Sequence, residues 1–195
     1  MRASSLALWI LILAALIGSL AISKEAAAQT DSHAALLSID RQIDSVSSRF
    51  LKRGLEQAAE GGAAFVVVEF DTPGGLLDST RDMVAAILES PIPVVIYVSP
   101  SGSHAASAGT FILAAAHIAA MAPATNVGTA SPVGAAGVDL PDTIKSKATQ
   151  DAAAFLRSIA DQRGRDAAAL EKTVLEAVSY TESEALDLGI IDVIA

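Results

Sequence analysis

The side chain in this chain best placed for chemistry is the hydroxyl of Ser107, in the stretch Ser-His-Ala-Ala-Ser-Ala-Gly-Thr over residues 103–110. Its immediate neighbours are too small to shield it, and an apolar helical run follows. A helix N-terminus presents unpaired backbone N–H groups and the positive end of the helix dipole, which together stabilise an anion. Ser107 is therefore a candidate nucleophile. Ala-Ser-Ala-Gly is also common where helices pack tightly, so that structural interpretation stays open at this point.

A second turn could bring more N–H groups to the same place. Residues 71–75 read Asp-Thr-Pro-Gly-Gly and follow the strongly apolar segment 65–70. A serine beside several converging N–H groups is the arrangement of a nucleophile and an oxyanion hole, which serves acyl transfer.

A serine nucleophile needs a base, because its hydroxyl reacts poorly near neutral pH. The histidines fit this role badly. His33 lies near the N-terminus, His104 lies three residues before Ser107, and His117 lies roughly 15 Å further along the predicted helix. A lysine is the simpler base, provided that burial favours its neutral amine.

Two lysines follow the loop after Ser107. Lys145 and Lys147 are two residues apart, so on a helix they point about 200° from each other, and at most one can face a site. Lys147 adjoins Ala148 and lies three residues after Ile144, whereas Lys145 points more toward solvent. This spacing is weak evidence, and a solvated lysine is the commoner case.

Strand and helix patterns alternate along the chain, which predicts an α/β domain with parallel strand pairing. A glycine-, alanine- and proline-rich loop over 125–141 is expected to face substrate. We predict helices over 45–59, 76–89, 106–120, 143–164 and 167–177, a capping box at 181–184, a weak strand over 34–43, and strands over 65–70, 94–98 and 190–194, with a further strand beginning near 118.

Composition and the N-terminus narrow the classes of function. A formal net charge of −9 argues against a nucleic-acid partner. With no cysteine and three scattered histidines, we expect neither a metal site nor a cofactor.

The N-terminus predicts a signal peptide over residues 1–28, cleaved after Ala28, or a retained membrane anchor. Arg2 lies at its start, an uncharged apolar stretch follows over 3–23, and an Ala-x-Ala site ends it. Either way, the folded part, residues 29–195, would be exported across the cytoplasmic membrane.

Several long segments in the same order resemble the NfeD-type membrane-bound serine protease family, which is related to the Clp protease and crotonase superfamily and to signal peptide peptidase A. The resemblance covers nearly all of residues 29–195. The segments that carry it are Asp-Thr-Pro-Gly-Gly-Leu-Leu-Asp-Ser-Thr-Arg over 71–81, Tyr-Val-Ser-Pro-Ser-Gly over 97–102, Ala-Ala-Ser-Ala-Gly-Thr-Phe over 105–111, His-Ile-Ala-Ala-Met-Ala-Pro over 117–123, Ala-Ser-Pro-Val over 130–133, Lys-Ala-Thr-Gln-Asp-Ala over 147–152 and Thr-Glu-Ser-Glu-Ala-Leu-Asp-Leu-Gly-Ile-Ile-Asp over 181–192.

The resemblance implies a Clp protease/crotonase-like fold and a Ser–Lys dyad in a serine endopeptidase. Ser107 matches the nucleophile and Lys147 the general base, while Gly74, Gly75 and Ala108 match the oxyanion hole. The implied substrates are hydrophobic peptide segments of membrane-associated proteins, with a stomatin-like membrane protein as partner, and the superfamily's self-association implies a homo-oligomer.

Two departures from the family pattern are visible. Many members continue into membrane spans and a small β-barrel, whereas this sequence stops at Ala195, so we expect a short or truncated form. The first strand usually reads Ile-x-Gly-x-Ile, whereas residues 39–43 here read Ile-Asp-Arg-Gln-Ile without glycine, which puts the packing of that strand in doubt.

Two other classes of function compete with a protease. One is a non-catalytic exported scaffold that binds a stomatin-like protein. The other is a crotonase-like acyl-CoA enzyme, which the predicted export and the acidic charge both disfavour because coenzyme A is a cytoplasmic polyanion.

Overall fold

The computed structural model describes residues 33–133 and 141–195. The signal peptide or anchor expected over residues 1–28 lies outside these ranges, as does the 134–140 part of the loop predicted over 125–141. The division into residues 1–28 and 29–195 therefore stays a prediction. In the described ranges, no helix combines the length and the apolar character needed to cross a bilayer.

Strands and helices alternate through the described chain, much as the sequence predicts. In chain order they are β1 (Ala34–Asp40), α1 (Ser45–Glu60), β2 (Phe65–Asp71), α2 (Leu77–Leu88), β3 (Val94–Val98), β4 (His104–Ala106), α3 (Ala108–Ala115), β5 (Ile118–Met121), β6 (Asn126–Gly128), α4 (Asp142–Arg163), α5 (Ala167–Leu175), β7 (Ser179–Thr181), α6 (Glu182–Asp187) and β8 (Val193–Ile194).

The strands form two sheets. The larger has the order β1-β2-β3-β5-β8, and all its neighbouring strands are parallel. The smaller has the order β4-β6-β7, with β4 parallel and β7 antiparallel to β6. The predicted α/β class with a mostly parallel sheet is confirmed, since helices connect the parallel strands.

One face of the large sheet is buried and the other is open. Val66, Val68 and Phe70 of β2 are fully buried, as expected for a β-branched strand that helices cover. Alternate positions point the opposite way, and we call that side the open face. On it, Leu36 is 64% exposed and Phe65 39%.

The start of α1 is fixed by the residue that the sequence indicates. The Asp44 carboxylate accepts hydrogen bonds from the N–H groups of Val46 and Ser47, while the Ser47 hydroxyl accepts from the Asp44 N–H. The hydrogen bond from the Ser47 N–H is the main cause that lowers the pKa of Asp44. This capping arrangement satisfies helix donors that would otherwise lack partners.

The region around Ser107 is shorter and more broken than predicted. The helix expected over 106–120 is two elements, because α3 ends at Ala115 and β5 begins at Ile118. The small sheet was missed entirely by the sequence analysis. Its strands have three residues each, too few to show a periodicity, and they form because distant segments pair with them.

Two arginines hold the C-terminal end of α3. The buried guanidinium of Arg165 donates to the carbonyls of Ala114, Ala116 and Ile190 and pairs with Asp192 at 2.9 Å. Arg163 donates to the Ala115 carbonyl, and burial beside Arg165 lowers the pKa of Arg163. Positive groups at a helix C-terminus are favourable, so these contacts anchor the helix that begins directly after Ser107.

Candidate active site

Ser107 occupies a strained turn between β4 and α3. Its backbone has φ 53° and ψ −113°, a conformation that non-glycine residues rarely adopt. Its N–H donates to the Gly128 carbonyl at 2.9 Å, and its carbonyl accepts from the Thr110 N–H at 3.0 Å. The buried Thr110 hydroxyl lies 3.1 Å from the carbonyls of both Ala105 and Gly128. Strain held by surrounding contacts is typical of functional sites, and a strand-to-helix turn of this kind exposes a nucleophilic serine in hydrolases.

The Ser107 side chain faces an open groove. Ser107 is half-buried, and within residues 33–133 and 141–195 its hydroxyl has no hydrogen-bond partner. The groove has a volume of about 580 Å³, which is within the range of ligand-binding clefts. It is lined by Gln42, Pro73, Gly74, Gly75, Leu76, Leu77, Thr80, Ser107, Ala108, Phe111, Ala130, Ser131, Pro132, Val133, Ala148 and Ala152.

The groove wall is apolar apart from a few hydroxyl and amide groups. Its floor contains the buried side chains of Phe111 and Ala152, whereas its rim contains Leu76, 58% exposed, and Val133, 78% exposed. Large apolar side chains that line an open cleft favour an apolar ligand.

The glycine-rich turn forms one wall and approaches Ser107 closely. Gly74 has φ +107°, and a Cβ built on it would lie 2.6 Å from the Ser107 Cβ. A Cβ on Gly75 would lie 2.0 Å from the Ile43 carbonyl oxygen. Ile43 donates its N–H to the Gly74 carbonyl at 2.8 Å and accepts from the Leu76 N–H at 2.9 Å. Only glycine fits at these two positions, because each faces a neighbour without room for a side chain.

The backbone N–H groups next to Ser107 differ in whether they already donate a hydrogen bond within the protein. The Gly74 N–H donates to the Thr72 hydroxyl at 3.1 Å. In the part of the chain that the structure describes, the N–H groups of Gly75 and Ala108 have no protein acceptor, and Ala108 is the first residue of α3. Two available donors beside a serine provide the hydrogen bonds that an oxyanion requires. Gly74 lines the groove, but its N–H is bonded to Thr72 and is not available to an oxyanion.

The two candidate lysines are both solvent-exposed. Lys145 and Lys147 lie near the start of α4 and neither lines the groove, although Ala148, the next residue, does. The burial that the sequence analysis required of a lysine base is therefore not observed for Lys147. The structure brings Ser107, Gly74, Gly75 and Ala108 together around the groove, whereas Lys147 is exposed and only its neighbour Ala148 lines the groove.

The histidines near the nucleophile in sequence have other partners. The His104 Nδ1 lies 3.2 Å from the Asp71 carboxylate, which also accepts the His104 N–H. The His117 Nδ1 accepts from the Val94 N–H at 3.2 Å, and partial burial lowers the pKa of His117. Neither ring lines the groove, and in the described ranges no cluster of three or more carboxylates and histidines could hold a metal ion.

Several residues that support the site were missed by the sequence analysis. Thr72 engages the Gly74 N–H, and Thr110 braces the turn at Ser107. Thr72 follows Asp71 in the glycine-rich motif, so the motif itself contained that signal. Nothing local marks Thr110, because its acceptors come from two other segments.

Comparison with known proteins identifies relatives for most of the chain. The membrane-bound protease PH1510 of Pyrococcus horikoshii is 38% identical over 160 residues, which is 80% of this chain. This chain spans only 36% of that protein's length.

Solved structures agree with this. A serine-to-alanine variant of the 1510-N membrane-bound stomatin-specific protease is 35% identical with a TM-score of 0.77, covering 84% of this chain and 80% of that one. A lysine-to-alanine variant, in complex with a substrate peptide, is 36% identical with a TM-score of 0.78, covering 84% and 75%. ClpP1 from Listeria monocytogenes, 17% identical with a TM-score of 0.65 over 82% of this chain and 90% of that one, supports the Clp-like fold alone.

The resemblance inferred from the motifs is thus confirmed. Residues 34–188 match the family described as NfeD1b, N-terminal domain, and the chain belongs to that family.

Proposed function

We propose that this chain is a serine endopeptidase in which Ser107 is the nucleophile and Lys147 the general base. The observation that carries the proposal is the strained turn at Ser107, whose hydroxyl and the nearby N–H groups of Gly75 and Ala108 have no hydrogen-bond partner among residues 33–133 and 141–195. The named relatives are proteases, and solved structures of one include a serine and a lysine variant, which supports the same pair of residue types here.

The chemistry is acyl transfer. The neutral Lys147 amine accepts the Ser107 proton while Oγ bonds to the peptide carbonyl carbon, and the N–H groups of Gly75 and Ala108 bind the resulting oxyanion. The C–N bond breaks as the lysine ammonium gives its proton to the leaving amine. Water then attacks the acyl-enzyme, with the same lysine as base, and releases the acid and free Ser107.

The exposed Lys147 is compatible with this role once substrate is considered. Ala148, next to it, lines the groove, so a peptide in the groove would cover this part of α4 and exclude water from the lysine. Catalytic contacts in a free enzyme are often loose and tighten when the substrate binds.

The proposed substrates are hydrophobic segments of membrane-associated proteins. The apolar rim at Leu76 and Val133 supports this class, and a relative with a bound substrate peptide is named stomatin-specific. A stomatin-like membrane protein is accordingly the proposed partner. With residues 1–28 as a signal peptide or anchor, residues 29–195 would act outside the cytoplasm, associated with the membrane.

A fluorophosphonate probe tests the proposal. An activated serine displaces fluoride from such a probe and keeps the phosphonyl group on Oγ. We expect the purified chain to fragment casein and, in mass spectrometry, to retain the probe on Ser107. Denatured chain is the control, and it should take up no label. Neither cleavage nor labelling, with casein or with a stomatin-type peptide, would favour the non-catalytic scaffold.

We also propose that two copies associate through β1, which is an edge strand of the large sheet as far as the described residues form it. The Arg41 N–H donates to the Asp71 carbonyl in β2, so alternate residues, Leu36 among them, turn their backbone groups toward the free edge. Asp40 is the one charged residue of β1 and ends it. Antiparallel pairing of two copies would keep the two Asp40 carboxylates roughly 20 Å apart, and such a pairing is self-complementary.

The oligomeric state tests this association. We expect the chain to migrate as a dimer in size-exclusion chromatography with light scattering and Leu36→Glu to migrate as a monomer, because this pairing makes the two new carboxylates diagonal neighbours on adjacent strands, where like charges repel. Leu186→Glu, which adds the same charge at an exposed leucine of α6, should remain dimeric. A monomeric wild type, or a dimeric Leu36→Glu, would contradict the proposal.

A further inference from the structure

One side chain on α2 connects the elements that carry the proposed dyad. The Arg81 Nη2 lies 2.6 Å from an Asp151 oxygen on α4, and its guanidinium carbon lies 4.2 Å from the centre of the Phe155 ring. Phe155 stacks on Phe111 of α3, with ring centroids 5.7 Å apart and an interplanar angle of 22°. Arg81 thus joins α4 to the helix that begins after the glycine-rich turn, and Phe155 joins α4 to the helix that begins after Ser107.

Asp151 has a second possible partner on its own helix. Lys147 precedes it by four residues in α4, so the two side chains share one helix face, where lysine and carboxylate normally attract each other. Such a pairing would favour the charged ammonium of Lys147. In the described ranges, however, Asp151 pairs with Arg81, and Lys147 takes part in no ion pair.

The other acids near Lys147 are placed differently. Two of those on the packed helices have cationic partners already, since Asp82 lies 3.5 Å from Lys52, and Glu171 pairs with Arg157. Asp142 is five residues before Lys147, on another face of the helix. The remaining charged residues of these helices are Lys145, Asp161 and Arg163 on α4, Asp78 on α2 and Lys172 on α5, and α3 has none. Asp151 is therefore the acid best placed to hold Lys147 in its charged form.

We propose that Arg81 is a positioning residue that occupies Asp151 and so keeps the Lys147 amine free to accept the Ser107 proton. The inference rests on the proposed function, because it gives Lys147 the role of base. It also assigns the Arg81–Asp151 pair a purpose other than stability, since an ion pair with side chains 39% and 65% exposed adds little to folding.

The pH dependence of peptide cleavage tests the inference. Arg81→Met keeps the apolar stem over Phe155 but releases Asp151. We expect its half-maximal activity to move about half a pH unit upward, with activity on the high-pH plateau within about threefold of wild type. Arg81→Met with Asp151→Asn should return the profile to the wild-type position. Lys52→Met, which breaks the neighbouring Lys52–Asp82 pair, should not move it.

A readout that needs no catalysis separates this inference from the proposed function. After reductive methylation with ¹³C-formaldehyde, the Lys147 resonance, assigned by its loss in Lys147→Ala, should titrate at higher pH in Arg81→Met than in wild type, and return in the double variant. An unmoved titration and an unmoved profile would overturn the inference while leaving the protease intact. If wild type shows no Ser107-dependent cleavage at any pH, the proposed function fails, and the role of Arg81 fails with it.

Discussion

Ser107→Ala is expected to remove peptide cleavage, lowering the rate by at least about 1000-fold, while leaving the fold intact. The loss follows because no other group can form the acyl-enzyme, and removal of a nucleophile that acts together with its base costs most of the chemical rate enhancement. The fold should survive because the Ser107 hydroxyl makes no hydrogen bond within the described ranges, and the contacts that hold the turn come from the backbone and from Thr110. Casein degradation and thermal unfolding measure the two effects.

A matched serine shows whether the effect belongs to Ser107. Ser48 is buried in α1, away from the groove, and Ser48→Ala should cut casein at the wild-type rate. Lys147→Ala should lose about 100- to 10,000-fold, the usual contribution of a general base. Cleavage by Lys147→Ala at the wild-type rate would leave the nucleophile in place and show that the base is another group. Undiminished cleavage by Ser107→Ala would refute the proposed mechanism.

The fold was predictable wherever a segment is long or has a strong terminal signal. The apolar run of β2 and the Asp44 cap of α1 are local features, and the structure places both elements within a residue or two of their predicted bounds. The small sheet was not predictable, because β4 forms through pairing with β6, some twenty residues later in the chain, and through a bridge to Thr72. Pairing between distant segments has no local signature in a three-residue strand.

The candidate site likewise has parts that local sequence predicts and parts that depend on contacts between distant segments. Ser107 and the glycines are visible in the sequence because small residues at a turn are a local pattern. The distinction between an engaged Gly74 N–H and an available Gly75 N–H depends on Thr72 and on the chain that passes over the turn. The exposure of Lys147 depends on how α4 packs against its neighbours, which its own residues do not determine.

Ile43 joins the segment after β1 to the glycine-rich turn. β1 ends at Asp40, and Ile43 instead makes an isolated parallel bridge to Gly75. Its side chain is fully buried, and its backbone groups bond to both neighbours of Gly75. Ile43 therefore holds the proposed oxyanion donor in place through its backbone.

Gly75→Ala is expected to lower peptide cleavage by about 100- to 1000-fold, the cost of losing one oxyanion donor. The new Cβ would lie 2.0 Å from the Ile43 carbonyl oxygen and 2.7 Å from its carbon and nitrogen, and backbone cannot yield as a side-chain tip can. The turn must move away from Ile43, which weakens two backbone hydrogen bonds and costs about 2 kcal/mol of folding free energy. Cleavage kinetics and urea unfolding measure the two losses.

The cause of the loss can be isolated, because Gly75 does not have a positive φ, so contact alone makes alanine unsuitable there. Gly54 is the matched control, since a Cβ on it would meet the flexible side chain of Leu37 at 2.5 Å, which can turn aside. Gly54→Ala should therefore remain active and folded. If Gly75→Ala unfolded at lower urea but cut peptides at the wild-type rate, the turn would support the fold without supplying the oxyanion donor, and Ala108 would have to act with another N–H group.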